Sequence, residues 1–516
     1  RGNEAYGIAN NTQDNPQGYK LTGHGGAVAF DIGAHAMLFN NSEFTYNYAR
    51  RDGGAINIAE NSYNASIENC IFTNNSCGDD GGAINWEGDL GFIQNITCYN
   101  NTGKAYNDLV TGASTSKGGT ICLTGDNITI TDSSFTLGTV FHNRGKLNET
   151  DAGAIFLTGE NATISNSKFD RCYSPNQAGA IKVIGNLTTI NNCTFVDCNS
   201  TKEGGAIVVE GLNCTLYNST FTDIFSGDDG GAILWVGQRG LIYNATFTNV
   251  RAEAPSGHHS TGGAVNIVGN HTVLTKSNFS STYASTDGGA VYATGDNITV
   301  SESTFYDTSV SHTTEASHNH GGGAIYLKGD FDKVINCTFD TSNAKLGGVI
   351  FIEGDNATID NITTNNSYVP SSGGSVFVEG DNATIKNSHI LNTKASVDGG
   401  AIYIDGDYTT ISNTSVDTST TNEAGGAVYI EGIYATIENS TFNTTSAVGS
   451  NSVYGLKNLG GAIYIIGNNA NIVGSEFENS KANEGGIIYL DGNHCNVTNS
   501  SFTDGYAYQN GGALYS

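Results

Sequence analysis

The sequence predicts an all-β fold, a right-handed parallel β-helix (a solenoid) of about eighteen turns. A Gly-Gly-Ala-Ile unit and its near variants recur eighteen times, strand-like alternation follows each unit, and no stretch has helical periodicity. The units begin at Gly25, Gly53, Gly81, Gly118, Ala152, Ala178, Gly204, Gly230, Gly262, Gly288, Gly322, Gly347, Gly373, Gly399, Gly425, Gly460, Gly485 and Gly511. Their modal spacing is 26 residues, stretched to 32–37 at five places. A fixed period of this length marks a solenoid, in which each turn buries its apolar face against its neighbours.

One turn shows the logic. In Gly425–Asn443, GGAVYIEGIYATIENSTFN, Val428 and Ile430 alternate with Tyr429, the period-2 pattern of a strand. The two aliphatics are expected to point inward and the tyrosine outward. Gly432 turns the chain, Ala435 and Ile437 point inward, Asn439 marks a second bend, and Phe442 closes the turn with an inward ring. That makes three short strands per repeat. The paired glycines admit positive-φ backbone where one turn hands over to the next. They are not phosphate-binding loops, because no strand–glycine loop–helix unit follows them.

Asparagine recurs at the bend before the Phe strand, at Asn69, Asn166, Asn192, Asn218, Asn336, Asn387, Asn413, Asn439 and Asn499. Stacked amides there are expected to hydrogen-bond along the axis and to be shielded. The ten cysteines mostly take inward positions as small hydrophobes. Cys172 and Cys198 both lie three residues after their Phe in successive turns, within reach of a disulfide.

Residues 1–24 form an irregular lead-in, and 25–516 are expected to be one continuous β-helix, a piece of a longer repeat protein or a unit that stacks end to end. Fifty acidic residues stand against 22 basic ones, a net charge of −28. That balance excludes an electrostatic affinity for nucleic acid and argues against docking on anionic lipid. No run approaches the roughly 18 apolar residues of a membrane helix, so this segment is not expected to insert directly into a membrane.

Repeats of the form GGAIYIEG-DNATIENSTFTNN, seen at Gly373–Ser388, Gly399–Asp405 and Gly425–Asn443, resemble the adhesin-like surface proteins of methanogenic archaea. The pairing of Gly53–Ile56 with Phe72–Asn75 is more distantly similar to the chlamydial polymorphic outer-membrane proteins. Later turns depart from Phe-x-x-Asn, as from Phe442 to Thr445. The resemblance implies an extracellular protein of the cell surface or envelope, an adhesin or structural protein acting by attachment or self-association. Its partners would be cell-surface glycans, neighbouring cells, or further copies in a homo-oligomer or end-to-end filament. The competing classes are a polysaccharide-active enzyme (lyase or hydrolase) and a viral tail fibre or spike.

Four sets of residues are candidates for function. Nine successive turns place an aromatic at the outward position of the first strand: Tyr292, Tyr326, Phe351, Phe377, Tyr403, Tyr429, Tyr464, Tyr489 and Tyr515. Stacked rings of this kind stabilise a parallel sheet by themselves; because the strip is also a larger apolar patch than monomers usually expose, the functional alternative is that it is covered by a sugar chain, a neighbouring copy or the long loops. An outward carboxylate row, Glu353, Glu379, Asp405 and Glu431, would favour a cation such as Ca²⁺ or a basic partner. Asn-x-Ser/Thr sites at Asn127, Asn161, Asn297, Asn356 and Asn382 are expected to be exposed and open to glycosylation, those on the Asn ladder shielded. The loop with His312, Glu315, His318 and His320, near His258 and His259, is a weak metal candidate. No cofactor is predicted. Catalysis is not expected either: Asp79-Asp80, Asp228-Asp229 and Gly23-His24-Gly25 read as far apart in the stack, and an active site breaks a repeat rather than obeying it.

Overall fold

The computed structural model describes residues 2–5, 23–30, 32–104, 116–141, 150–255, 259–311, 321–449 and 458–516. The chain divides into two compact units, Arg1–His258 and His259–Ser516. Each winds as a right-handed parallel β-helix. Among the described residues the GGAI sheet has eight strands in the first unit, from Val28–Phe30 to Ile233–Trp235. It has ten in the second, from Val265–Ile267 to Leu514–Tyr515. Each strand therefore corresponds to one of the eighteen repeats.

Register follows the repeat without slippage along this sheet. Ile84 pairs with Ile56 below and Ile121 above, and Val428 with Ile402 and Ile463. A one-residue slip would expose every inward side chain, so the buried face holds the register. Val428, Ile430, Ala435, Ile437 and Phe442 are all buried, as the alternation predicts. Each buried Ile, Val or Phe contributes roughly 1.5–3 kcal/mol relative to exposure. The inward rings stack face to face. Phe135, Phe169, Phe195, Phe221 and Phe247 follow one another at 4.8–4.9 Å between centroids, and Phe279, Phe305 and Phe339 at 4.7–4.8 Å.

The turn has one more segment than the sequence pattern suggests. After Ile71–Thr73 the chain kinks at Asn74 and pairs again over Ser76–Cys77. In later turns the two pieces fuse into one seven-residue strand, as in Thr220–Ser226. Its inward position carries a buried amide ladder in the first turns. Asn47 Nδ2 donates to Asn75 Oδ1 (2.9 Å), and Asn75 Nδ2 to Asn101 Oδ1 (3.0 Å). In the second unit buried hydroxyls take over, for example Thr308 with Ser342 and Thr445 with Ser480, each at 2.8 Å.

The two glycines of each unit have separable tasks. The first is left-handed, φ 65° at Gly425, and Ala152 and Ala178 occupy the same position at φ 64° and 58°. The second admits no side chain: a Cβ on Gly82 would lie 2.0 Å from the Gly119 carbonyl oxygen. This explains why the variants read Ala-Gly but never Gly-Ala.

One inward position breaks the apolar rule. Asp332 replaces the inward Ala and is 0% exposed. Its Oδ1 accepts from the Ile298 amide at 2.7 Å, and its Oδ2 has no partner. Burial pushes its carboxyl up to about 8, with Asp296 and Asp330 adding to the effect. A raised acid binds its proton more tightly when folded, so its contribution is complete below the ordinary 3.8 and is lost as pH rises towards 8. Over that interval stability should fall with a limiting slope of about 1.4 kcal/mol per pH unit from this group. Urea unfolding at pH 5 and pH 8 checks this. Asp332→Ala should flatten the dependence, and an unchanged slope would mean the carboxyl is not isolated.

Candidate functional site

The outward face of the GGAI sheet is where the chain departs most from simple repetition. In the second unit it carries the nine aromatics, stacked in sequence from Tyr292 to Tyr515 at centroid spacings of 4.5–5.2 Å. The strip is covered from within the chain, by its own stacked rings and by Leu459, which ends one of the long connections. Tyr326, Phe351, Phe377, Tyr429 and Tyr464 are buried, and Tyr292, Tyr403, Tyr489 and Tyr515 are half-buried. Each ring covers its neighbours' faces, and residues preceding the glycine pairs close the side: Leu346 joins one cluster, Ala424 and Leu459 the other. The strip is a second apolar core outside the coil. Burial pushes the Tyr464 hydroxyl up to about 12, with Asp491 next in effect.

The carboxylate row flanks this core. Glu353 is half-buried, accepts a hydrogen bond from the Tyr326 hydroxyl and pairs with Lys328 at 3.0 Å. Glu379, Asp405 and Glu431 are exposed, and Asp405 and Glu431 face each other across neighbouring strands. Burial first, then Glu353 and Asp405, raise the Glu379 carboxyl. The row runs along the sheet and does not converge on a point. The metal candidates His312, Glu315, His318 and His320 lie outside the described residues, as does His258; His259 is exposed.

Among the described residues, the three carboxylates that do converge are Asp52, Asp79 and Asp80, whose oxygens lie within 4.8 Å of one another. They stand just before glycine pairs in successive turns, and His24 Nδ1 meets Asp52 Oδ2 at 2.8 Å. The separation expected between Gly23-His24-Gly25 and Asp79-Asp80 is therefore wrong: Asp52 bridges them. The signal was available, because His24, Asp52 and Asp80 all immediately precede a glycine pair and so share one register. Arg51 Nη2 approaches Asp79 at 3.4 Å. Burial raises Asp80 to about 8, with Asp79 and then Asp52 adding to it, and raises Asp79 to about 6, with Asp52 adding to it. Backbone groups use these oxygens: Asp80 N–H donates to Asp52 Oδ1 (3.2 Å) and Lys117 N–H to Asp80 Oδ1 (2.9 Å). Asp287 and Asp398 accept the corresponding N–H of the next turn at 2.9 and 3.0 Å, so the contact is a recurrent clamp between turns.

Exposure, the premise of the glycosylation expectation, is seen at four of the five candidate sites. Asn127, Asn161, Asn297 and Asn382 are exposed and Asn356 is half-buried. The ladder residues Asn192, Asn218, Asn336, Asn439 and Asn499 are also exposed, which corrects their predicted shielding. Their backbone is left-handed at φ 48–55°. That conformation, which Asn tolerates better than most residues, swings the side chain out of the coil. The amides still form a ladder, but on the surface, with Asn192 Nδ2 donating to Asn166 Oδ1 at 2.9 Å. Cys172 and Cys198 lie opposite each other in adjacent turns as buried free thiols. Burial, and next the Cys172 thiol, push the Cys198 thiol well up.

Comparisons with known proteins agree with this architecture. Residues 323–502 match the family model described as right-handed beta helix region, and residues 69–85 match the chlamydial polymorphic membrane protein repeat. No curated protein matches the sequence. Among solved structures, the catalytic domain of a GH87 α-1,3-glucanase in complex with nigerose is similar at 11% identity and a TM-score of 0.33. That match covers 73% of this chain and 65% of the glucanase chain, so this chain spans just under two thirds of it. A mutant of the periplasmic alginate epimerase AlgG is similar at 8% identity, covering 85% and 77%, with a TM-score of 0.24. A PL6-family alginate lyase is similar at 9%, covering 93% and 96%, with a TM-score of 0.23. The activities belong to those proteins.

Proposed function

We propose that this chain is the repetitive scaffold of a surface protein, an adhesin or cell-envelope structural protein that acts by attachment or self-association. The observation that carries the reading is periodic exposure of one chemical group. In the second unit the exposed Asp296, Asp330, Asp355 and Asp381 and the half-buried Asp407 form one row, in which each backbone N–H from Asp330 onward bonds the preceding Asp Oδ1 at 2.8–3.1 Å. Asn336, Asn361, Asn387 and Asn413 form another. Identical groups a strand spacing apart suit a repetitive partner, such as a surface glycan or a second copy, through many weak contacts acting together. The match to the chlamydial repeat supports a surface setting.

The test combines imaging on intact cells with glycan-array binding. Asp355→Ser alone should leave binding within a few-fold of the parent, while replacing Asp330, Asp355 and Asp381 together should reduce it at least about tenfold. Loss of all binding on the single change would point to one unique site and sink the reading.

A second reading, glycan hydrolysis at Asp52, Asp79 and Asp80, is favoured by one observation: converging carboxylates whose proton affinities are split by burial, the pattern of an acid–base pair. Asp80→Asn decides between the two. Release of reducing ends from polysaccharide by the parent, abolished in the variant, would establish hydrolysis. A variant unaltered except for greater stability at pH 8 would leave the cluster as a clamp.

A further inference from the structure

In the first unit the outward face of the GGAI sheet is apolar at Cys122, Phe156, Val208 and Leu234, with Ala152 and Ala178 beside them. Lys182 interrupts this row, directly between Phe156 and Val208 in adjacent strands. Its side chain is only 7% exposed, and that of Asp151, in the preceding turn, 9%. Lys182 Nζ lies 2.9 Å from Asp151 Oδ2, 3.1 Å from Glu210 Oε1 and 2.6 Å from Gln177 Oε1. Asn176, also buried, donates from Nδ2 to Asp151 Oδ1 at 2.6 Å. A lysine here does nothing for the apolar cluster that Val or Phe would not do better, since a buried ion pair is often matched by hydrophobic residues of similar volume.

We propose that Lys182 and Asp151 condense into an intramolecular amide that ties two successive turns together. The parts needed for acyl transfer are all in contact. The Lys182 ammonium passes one proton to Asp151 Oδ2, 2.9 Å away, and the freed amine attacks Cγ of the neutral acid. Negative charge develops on Oδ1, where the Asn176 amide already donates, so that group acts as an oxyanion donor. Oδ2 then leaves as water, carrying that first proton and a second one that Glu210, at the solvent edge and 3.1 Å from Nζ, takes from the attacking nitrogen and passes on. One C–N bond forms, one C–O bond breaks, and no oxidant or cofactor is required. Holding nucleophile and carboxyl in contact replaces a bimolecular encounter, and exclusion of bulk water protects the product from hydrolysis.

The starting state is an ion pair. Burial acts to lower the Lys182 ammonium, but Asp151 and then Glu210 outweigh it and the net shift is upward. The proton must therefore move within the cluster, which assigns Glu210 its part. Gln177 is a competing acceptor, and its reaction would release ammonia rather than water.

The experiment is the intact mass of the full chain after reduction and prolonged incubation, followed by peptide mapping. The expected protein is lighter than its sequence by one water, with Lys182 and Asp151 recovered in one branched peptide. Lys182→Arg and Glu210→Gln should both stay at full mass, with circular dichroism showing that they fold. A parent protein at full mass overturns the proposal. Loss of one ammonia, with Lys182 joined to Gln177, overturns the assignment to Asp151, and a linked Glu210→Gln protein overturns the proton transfer as written.

Discussion

Replacing Tyr403 and Tyr429 together by serine is expected to cost roughly 6 kcal/mol of stability, because emptying a buried aromatic site costs about 3–5 kcal/mol. Tyr403 stacks between Phe377 and Tyr429 at 4.5 and 4.8 Å, and Tyr429 continues to Tyr464 at 5.2 Å. Removing both opens a gap of two rings in an otherwise continuous column. Urea unfolding of parent, single and double variants checks this, and the double variant should lose less than the sum of the singles because the contact between the two rings is removed in each single variant. A double variant with an unchanged midpoint but impaired attachment would restore the rings to the role of ligand platform.

Gly400→Ala should be almost as damaging, at about 4 kcal/mol or more, the range of changes that force atoms into occupied space. The new Cβ would sit 2.1 Å from the Gly426 carbonyl oxygen and 2.6 Å from the Ser419 hydroxyl. Its neighbour gives the control. Gly399 is left-handed at φ 60°, but Ala152 and Ala178 already occupy that position elsewhere. Gly399→Ala should cost less than Gly400→Ala: its Cβ would also meet the Ile402 carbonyl oxygen, at 2.3 Å, but alanine is accommodated at this position in two other turns. Equal losses at the two positions would mean that backbone strain, and not the contact with the next turn, governs the motif.

Much of this architecture was legible because a solenoid writes each structural rule many times over. Inward positions such as Val428, Ile430 and Phe442 follow from alternation and repetition together. What escaped depends on neighbours that sequence spacing does not reveal. Tyr429 was rightly placed on the outer side of its strand, but its cover comes from rings one turn away and from Leu459, which belongs to the next repeat. The exposed Asn ladder was misread because the left-handed backbone of residues such as Asn192 turns outward a side chain that strand parity alone would place elsewhere. The fourth segment was hidden because its inward position changes from Asn75 to Cys172 to Thr308, three side chains with no common hydropathy. His24, Asp52 and Asp80 share one phase of the repeat, which their distance along the chain conceals.

The two amide ladders of the first unit have an electrical consequence. On the outside the donors point back down the stack, with Asn69 Nδ2 bonded to Asn40 Oδ1 and Asn95 Nδ2 to Asn69 Oδ1. Inside they point up it, from Asn47 to Asn75 and from Asn75 to Asn101. A single row of aligned amides would behave as an electret, its moment growing with every turn as the α-helix macrodipole does. Rows of opposite polarity offset each other in part, although Asn100 to Asn74 and Asn85 to Asn57 add to the downward set, and a parallel sheet adds little of its own. Over these turns the opposed ladders limit the polarisation that a lengthening coil would otherwise accumulate.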